Sequence, residues 1–258
     1  MNILLTNDDG IESEGIMKLA QALRSQRKDR VCVVAPDSNR SGVSHGLSIF
    51  GNPVRISEKS KDTWSCSGMP VDCVIAAVLG GKPCKPDIVI SGINHGANLG
   101  TDIIYSGTAG AARQGALMGL PSIALSLNGW ADYNWSMAAE YAADHLDDFI
   151  KMWERDIFIN VNIPNSPGGP KGMAVTWPSR KDYHDSLSVM QGPDKREWVF
   201  LMPGELTVDD EKGSDWEAVS NNFVSVSPVF IHPVVLKSLC PNAPEYAAAG
   251  KREVSNGG

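Results

Sequence analysis

The sequence predicts an α/β fold, a Rossmann-like and mostly parallel sheet flanked by helices, with a β-rich C-terminal extension. Three observations predict it. Short, unbroken apolar runs such as Ile3-Leu4-Leu5, Val31-Cys32-Val33-Val34 and Ile88-Val89-Ile90 recur in the first half of the chain. That is the pattern of strands buried on both faces. An amphipathic stretch separates the first two runs, which gives the order β, α, β and a parallel pair joined by a right-handed crossover. Beyond residue 165 glycine, proline, aromatic and alternating residues take over, and these read as further short strands. At 258 residues the chain is at the upper end of one domain. We read 1–258 as a single α/β domain, with a core over 1–164 and a β-rich lobe or oligomerisation arm over 165–258.

Composition narrows the function classes. With 42% hydrophobic and 21% charged residues the chain is globular. A net charge of −7 argues against a nucleic-acid groove, which needs a basic face. No run of about twenty apolar residues could span a membrane. No basic-then-apolar leader stands before Ile3, so a cytoplasmic location is expected. The five cysteines are scattered without a Cys-x-x-Cys pair. They match no common zinc spacing and give no support for a disulfide framework; Cys32 lies within an apolar strand, and most of the others read as small core residues.

The first strand ends in Thr6-Asn7-Asp8-Asp9-Gly10. Ligands of open α/β sheets sit beyond the carboxyl ends of strands, where Asp8 and Asp9 fall. Two adjacent carboxylates repel unless a cation or solvent compensates, and a hard divalent ion is the usual compensation. A solvated turn is the other reading, since Asn, Asp and Gly are all turn formers. Residues 14–25 follow as a helix, with Ile16, Leu19, Ala20 and Leu23 on its apolar face. The second strand stops at Pro36. Behind it the polar loop Asp37-Ser38-Asn39-Arg40-Ser41-Gly42 is brought beside Asp8 and Asp9, either as a ligand loop or as plain surface. Short strands and turns fill 47–68, and 71–79 forms a short helix with Asp72 near its start.

The strand at 88–90 runs into Ser91-Gly92-Ile93-Asn94-His95-Gly96-Ala97-Asn98-Leu99-Gly100. Its glycines allow close backbone approach, and Asn94 and Asn98 offer neutral oxygens or amide donors. Ser106, Gly107 and Thr108 then open an alanine-rich helix. That start is either a phosphate site or an ordinary Ser/Thr cap. A strand at 121–127, one long helix at 134–153 and a strand at 156–162 complete the core. Strands are expected at 197–201 and 222–228, and the tail after Pro244 is expected to fray.

These motifs resemble the SurE family of metal-dependent nucleoside monophosphate phosphatases. The matching segments are Leu5-Thr6-Asn7-Asp8-Asp9-Gly10, Val34-Ala35-Pro36-Asp37 with Asn39-Arg40-Ser41-Gly42, Ser91-Gly92-Ile93-Asn94 with Gly96, Asn98-Leu99-Gly100, Tyr105-Ser106-Gly107-Thr108 and, more weakly, Asp72-Cys73-Val74. They span about half the chain in the family's order. The resemblance implies that Asp8, Asp9, Ser41 and Asn94 hold one divalent metal per subunit, Mg²⁺ or Mn²⁺. It implies that Asn98, Ser106, Gly107 and Thr108 hold the phosphate, and that a C-terminal arm is exchanged within a homodimer or homotetramer. The implied reaction is hydrolysis of nucleoside 5′- (and 3′-) monophosphates by metal-activated water, with Asp8 and Asp9 as the catalytic carboxylates. The chain departs from the family at Gly68-Met69-Pro70, often Gly-Thr-Pro, and at Thr176-Trp177-Pro178-Ser179, often Thr-Arg-x-Gly, while Arg180 and Tyr183 still match. Those departures leave the metal residues untouched and bear on substrate preference and subunit contacts.

Two other classes fit less well. A phospho-acceptor receiver domain needs about half this length and has no use for Ser106-Gly107-Thr108. A dinucleotide-binding module needs Gly-x-Gly-x-x-Gly after the first strand, which is missing. A non-catalytic nucleotide sensor using the same site stays open. His45, His95 and His232 are all eligible to protonate the leaving oxygen, and no spacing selects among them.

Overall fold

The computed structural model describes residues 1–129, 131–209 and 211–233. The chain opens with β1 (Asn2–Thr6), α1 (Glu14–Gln26) and β2 (Arg30–Pro36). It continues with β3 (Ile56–Ser60), β4 (Thr63–Cys66), α2 (Pro70–Gly80), β5 (Ile88–His95), α3 (Asp102–Tyr105), α4 (Gly107–Leu117) and β6 (Ser122–Asn128). Next come α5 (Trp135–Asp144), α6 (Leu146–Met152) and β7 (Ile157–Pro164). The rest is β8 (Met173–Val175), β9 (Lys181–Tyr183), β10 (Ser186–Gln191), β11 (Glu197–Met202), β12 (Leu206–Val208), α7 (Asp215–Ser220) and β13 (Val224–Phe230).

Nine strands form one sheet in the order β3-β4-β2-β1-β5-β6-β7-β13-β8. Every neighbouring pair from β4 to β7 is parallel. Antiparallel β3 and β13 flank that block, and β8 runs parallel to β13. The predicted Rossmann-like sheet is therefore present. The chain winds outward from β1 through β2 to β4, then returns to the other side of β1 as β5 and winds the opposite way. The crevice between β1 and β5 is the point where winding reverses, which is where such sheets bind ligands.

The alternation of β1 builds a core on each face. Ile3 and Leu5 pack with Ile16, Leu19 and Leu23 of α1 and with Ala138 and Ala142 of α5. Leu4 points the other way, to Val34, Val89, Val74 and Ala77. Each such fully buried side chain stabilises the fold by about 2 kcal/mol, so the strand that delivers Asp8 is anchored from both sides.

Three details differ from the sequence reading. The single helix over 134–153 is two, α5 and α6, because His145 leaves helical geometry (φ −100°, ψ 8°) while its ring packs 4.3 Å from that of Tyr141. Cys32 and Cys84 are joined in a disulfide across 52 residues, with Cα atoms 6.4 Å apart. The loop before β5 brings them together: it passes under the first strands, Lys85 accepting from the Asn2 amide and Pro83 from Arg30. Spacing rules look for local cysteine pairs and could not find this one. Residues after 165 also divide, with β8 and β13 joining the main sheet while β9–β12 and β10–β11 form two small antiparallel pairs. The tail expected to fray lies outside the described residues.

Candidate active site

The turn after β1 is built by Asn7. Its buried amide donates to the Gly10 carbonyl (2.8 Å) and to Ser13 Oγ (2.7 Å), and its Oδ1 accepts the Gly10 N–H (3.2 Å). Gly10 takes φ +102°, a conformation that side chains disfavour. This fixes Asp8 pointing inward at 3% exposure and Asp9 beside it, partly exposed.

Asp8 meets the start of α4. Thr108 Oγ1 donates to Asp8 Oδ1 at 2.5 Å, and a Cβ added to Gly107 would lie 2.8 Å from Asp8 Cβ. The helix N-terminus is thus seated directly on the carboxylate. Burial raises the Asp8 pKa to about 6, opposed by the Thr108 hydroxyl and reinforced by the neighbouring Asp9 charge. Burial also raises the pKa of Asp9, whose Oδ2 accepts the His95 backbone N–H at 3.0 Å. The loop behind β2 reaches the same point: Arg40 N–H donates to the Asp8 carbonyl (2.6 Å), and Ser44 is clamped to α3 through the Tyr105 carbonyl (2.9 Å).

A cleft of about 620 Å³ opens here, lined by Asp8, Ser41, Asn94, Asn98 and Ser106 among the sequence candidates. Asp9, Gly107 and Thr108 are not part of its lining. Asp9 stands beside it through His95, and Thr108 is fully buried with its hydroxyl on Asp8. Ser106 does both things that its sequence allowed: it lines the cleft, and its Oγ caps α4 by accepting the Ala109 N–H (3.0 Å).

Asn98 is held rigidly. Its side-chain amide donates to Ser126 Oγ (2.8 Å), and its carbonyl accepts from the amides of Asn160 and Asn162. Sequence reasoning passed over those two asparagines, although their position inside the apolar run Ile157-Phe158-Ile159-Asn160-Val161-Asn162-Ile163 marked them. It also missed Asp102, Asp185 and Leu201, which complete the wall with Tyr105 and Tyr183. Asp215 fastens this wall: fully buried, it accepts the Gly100 and Ser179 N–H groups, both at 2.8 Å. The histidines separate cleanly. His95 lines the cleft, His45 faces Gln114 (3.0 Å), and His232 faces Asp156 (3.4 Å).

Among the described residues no lysine or arginine lines the cleft, while Asp8, Asp102 and Asp185 do. Such a cleft would repel an anion until a cation entered it. No group of three or more His, Cys, Asp or Glu side chains is arranged for a metal among the described residues. A set with two carboxylates and neutral oxygens falls outside that pattern. Asp9 Oδ1, Asn94 Oδ1 and Ser41 Oγ each lack a partner among the described residues, while the Asn94 amide nitrogen is engaged by the Gly96 carbonyl. Together with Asp8 they are an all-oxygen donor set, the chemistry that Mg²⁺ and Mn²⁺ prefer.

Fold and cleft together define a doubly wound α/β protein with an acidic, oxygen-rich site at its switch point, facing the start of a helix. The chain belongs to the SurE family, since the description Survival protein SurE matches residues 3–185. It is 40% identical over 238 residues to a protein named 5′-nucleotidase SurE from Geobacter sulfurreducens, covering 90% of this chain and 88% of that one. A protein of the same name from Acinetobacter baumannii is 41% identical over 243 residues, covering 89% and 93%. The crystal structure of Sure protein from Aquifex aeolicus matches with a TM-score of 0.80 at 36% identity, covering 94% of this chain and 98% of that one.

Proposed function

We propose that this chain is a metal-dependent phosphomonoesterase that hydrolyses nucleoside 5′- (and 3′-) monophosphates to nucleoside and phosphate. The observation that carries the reading is the acidic cleft at the switch point, set against the N-terminus of α4. Relatives named 5′-nucleotidase SurE at 36–41% identity support the substrate class.

Asp8, Asp9, Asn94 and Ser41 would hold one Mg²⁺ or Mn²⁺. The bound ion supplies positive charge to the phosphoryl oxygens and acidifies water. Asn98, Ser106 and the Gly107 N–H would position the phosphate, where the helix dipole favours negative charge, with Thr108, whose backbone N–H faces Asp8, closing that end of the site. Thr108 has the further task of orienting Asp8 through its hydroxyl. Asp8, buried and set against Thr108, and Asp9 beside it would orient the attacking water, one of the two accepting its proton.

The same reading makes 165–258 an oligomerisation arm on a 1–164 core. The β10–β11 pair exposes Leu187, Val189, Trp198, Val199 and Leu201, more apolar surface than a lone hairpin would leave to water. A homodimer or homotetramer covers it. A cytoplasmic location belongs to this proposal too; no described helix is long and apolar enough to cross a membrane.

The test is phosphate release from a panel of nucleoside 5′- and 3′-monophosphates with Mg²⁺, with Mn²⁺ and with EDTA. Metal-dependent release that EDTA abolishes is expected. Nucleotide binding without release under every metal would replace this reading with that of a sensor.

A further inference from the structure

The apolar strand β7 carries two fully buried asparagines, Asn160 and Asn162, on the same face as Phe158. A primary amide buried in such a strand costs stability unless its donors and acceptors are matched. Among the described residues, the side chains of both bond to one residue alone, Asn98 in the loop after β5. Asn162 Oδ1 accepts the Asn98 N–H at 2.8 Å, and Asn162 Nδ2 donates to the Asn98 carbonyl at 3.1 Å. An N–H facing the oxygen and a carbonyl facing the nitrogen leave that amide a single orientation. It serves Asn98 as one residue of a neighbouring antiparallel strand would, taking up both main-chain groups at once. Asn160 adds a second donor to the same carbonyl at 2.9 Å, while its own Oδ1 has no partner among the described residues. Valine or isoleucine at 160 would fill the strand without that cost, so the use of the amide lies at Asn98.

The anchor is in register with the other half of the site. Across β5, β6, β7 and β13 the paired residues Asn94, Ser126, Asn162 and Ser225 form one row. Asn94 opens that row and offers its oxygen to the ion. Ser126 Oγ, next along, accepts one amide hydrogen of Asn98 at 2.8 Å. The second amide hydrogen of Asn98 is uncommitted among the described residues, in a side chain that lines the cleft. We propose that Asn162, assisted by Asn160, is a positioning residue. It fixes the main chain of Asn98 so that this second amide hydrogen meets a phosphoryl oxygen at a set distance from the ion. The inference deepens the phosphomonoesterase reading and rests on it. The grip is on the phosphate end and not on the leaving group, so its loss acts alike on every phosphoester. It leaves the oxygens of Asp8, Asp9, Ser41 and Asn94 in place, so its loss spares metal affinity.

The experiment compares wild type with Asn162→Ala, Asn160→Ala, Asn98→Ala and the double variant Asn98→Ala/Asn162→Ala. Thr176→Val is the control, since it removes a buried hydroxyl held between those of Ser225 (2.9 Å) and Ser227 (2.8 Å), beyond the far end of the row. The readouts are kcat/KM for adenosine 5′-monophosphate and for p-nitrophenyl phosphate with Mn²⁺, and calorimetric binding of Mn²⁺ and of inorganic phosphate in Mn²⁺. Asn162→Ala should lose about tenfold to a hundredfold in kcat/KM, by the same factor for both esters and with Mn²⁺ affinity unchanged. Asn160→Ala leaves the carbonyl one donor and should lose less, in the same sense. The double variant should be no worse than Asn98→Ala, because Asn162 acts through Asn98. Thr176→Val should keep its kcat/KM. Unaltered kcat/KM in Asn162→Ala, a loss confined to one ester, a parallel fall in Mn²⁺ affinity or a further loss in the double variant would each overturn the positioning role. An equal loss in Thr176→Val would overturn it too. If Asn162→Ala does not fold, Asn160→Ala and its own double variant with Asn98→Ala are held to the same criteria. If wild type hydrolyses neither ester, the phosphatase reading falls and phosphate binding decides the inference. Weaker binding in Asn162→Ala and Asn98→Ala alike upholds it, and unchanged binding overturns it.

Discussion

Replacing Asp8 by asparagine separates the stability of the site from its function. In the fold Asp8 titrates near 6 because it is buried, against an ordinary value of 3.8. A carboxyl shifted this way costs about 3 kcal/mol of folding free energy once ionised, at about 1.36 kcal/mol per pH unit. The sign follows from the direction. The folded state holds the proton more tightly, so stability is lost as pH rises from about 4 to about 6 and stays low above that. Asparagine carries no charge and can still accept from Thr108. It receives the nearby backbone N–H of Thr108 less well, which offsets about 1 kcal/mol of the gain. Metal-free Asp8→Asn should therefore be more stable than wild type by about 2 kcal/mol at pH 8, or about 4 °C or more in Tm. At pH 5 about a third of that difference should remain. Adding Mn²⁺ should raise the Tm of wild type and leave the variant unmoved, and phosphate release should be abolished. Thermal unfolding in EDTA and in Mn²⁺ at the two pH values measures all of this. A variant no more stable than wild type in EDTA at pH 8, or one stabilised equally by Mn²⁺, refutes the reasoning.

Three further changes test the surroundings. Gly107→Ala drives a Cβ to 2.8 Å from Asp8 Cβ and 3.1 Å from Val43 Cγ2; it should cost about 1–3 kcal/mol in unfolding experiments and most of the activity. Thr108→Val removes the hydroxyl that lowers the Asp8 pKa, so the acid limb of a pH–rate profile should move to higher pH. An unmoved limb would show that Asp8 does not govern it. Cys32→Ser opens a 52-residue loop, worth about 4 kcal/mol by chain entropy. The loss should appear in oxidised protein and vanish in excess dithiothreitol, where wild type and variant should unfold alike.

How much of this was legible depends on the distance over which each feature is encoded. The end of β1 could be read because an apolar run stops at four turn-forming or acidic residues, and nothing outside residues 3–10 is needed to see it. The start of α4 could be read because Ser106-Gly107-Thr108 precedes an alanine run. Even so, the sequence could not tell which hydroxyl opens onto the cleft. Helical geometry turns Thr108 onto Asp8, and that contact spans 100 positions. The split at His145 was hidden for a similar reason, since the apolar spacing carries across a break of one residue.

The outer wall was illegible on different grounds. Tyr183 and Leu201 come from short strands with little periodicity and Asp185 from the connection between β9 and β10, and Tyr183 reaches the cleft because β9 docks on α3. Lys181 N–H donates to Thr101 Oγ1 at 2.9 Å, Thr101 Oγ1 donates back to the Lys181 carbonyl at 3.0 Å, and the Lys181 ammonium meets Asp102. Such reciprocal bonds leave no pattern in the chain. The residues that bear charge at the strand ends are set by the winding of the sheet, whereas those of the outer wall of the cleft are set by this docking. Substrate preference is therefore free to change by altering residues 177–220 while Asp8, Asp9, Ser41 and Asn94 stay fixed. Of the two places where the chain departs from the family pattern, Thr176-Trp177-Pro178-Ser179 falls at the start of that region and Gly68-Met69-Pro70 lies outside it.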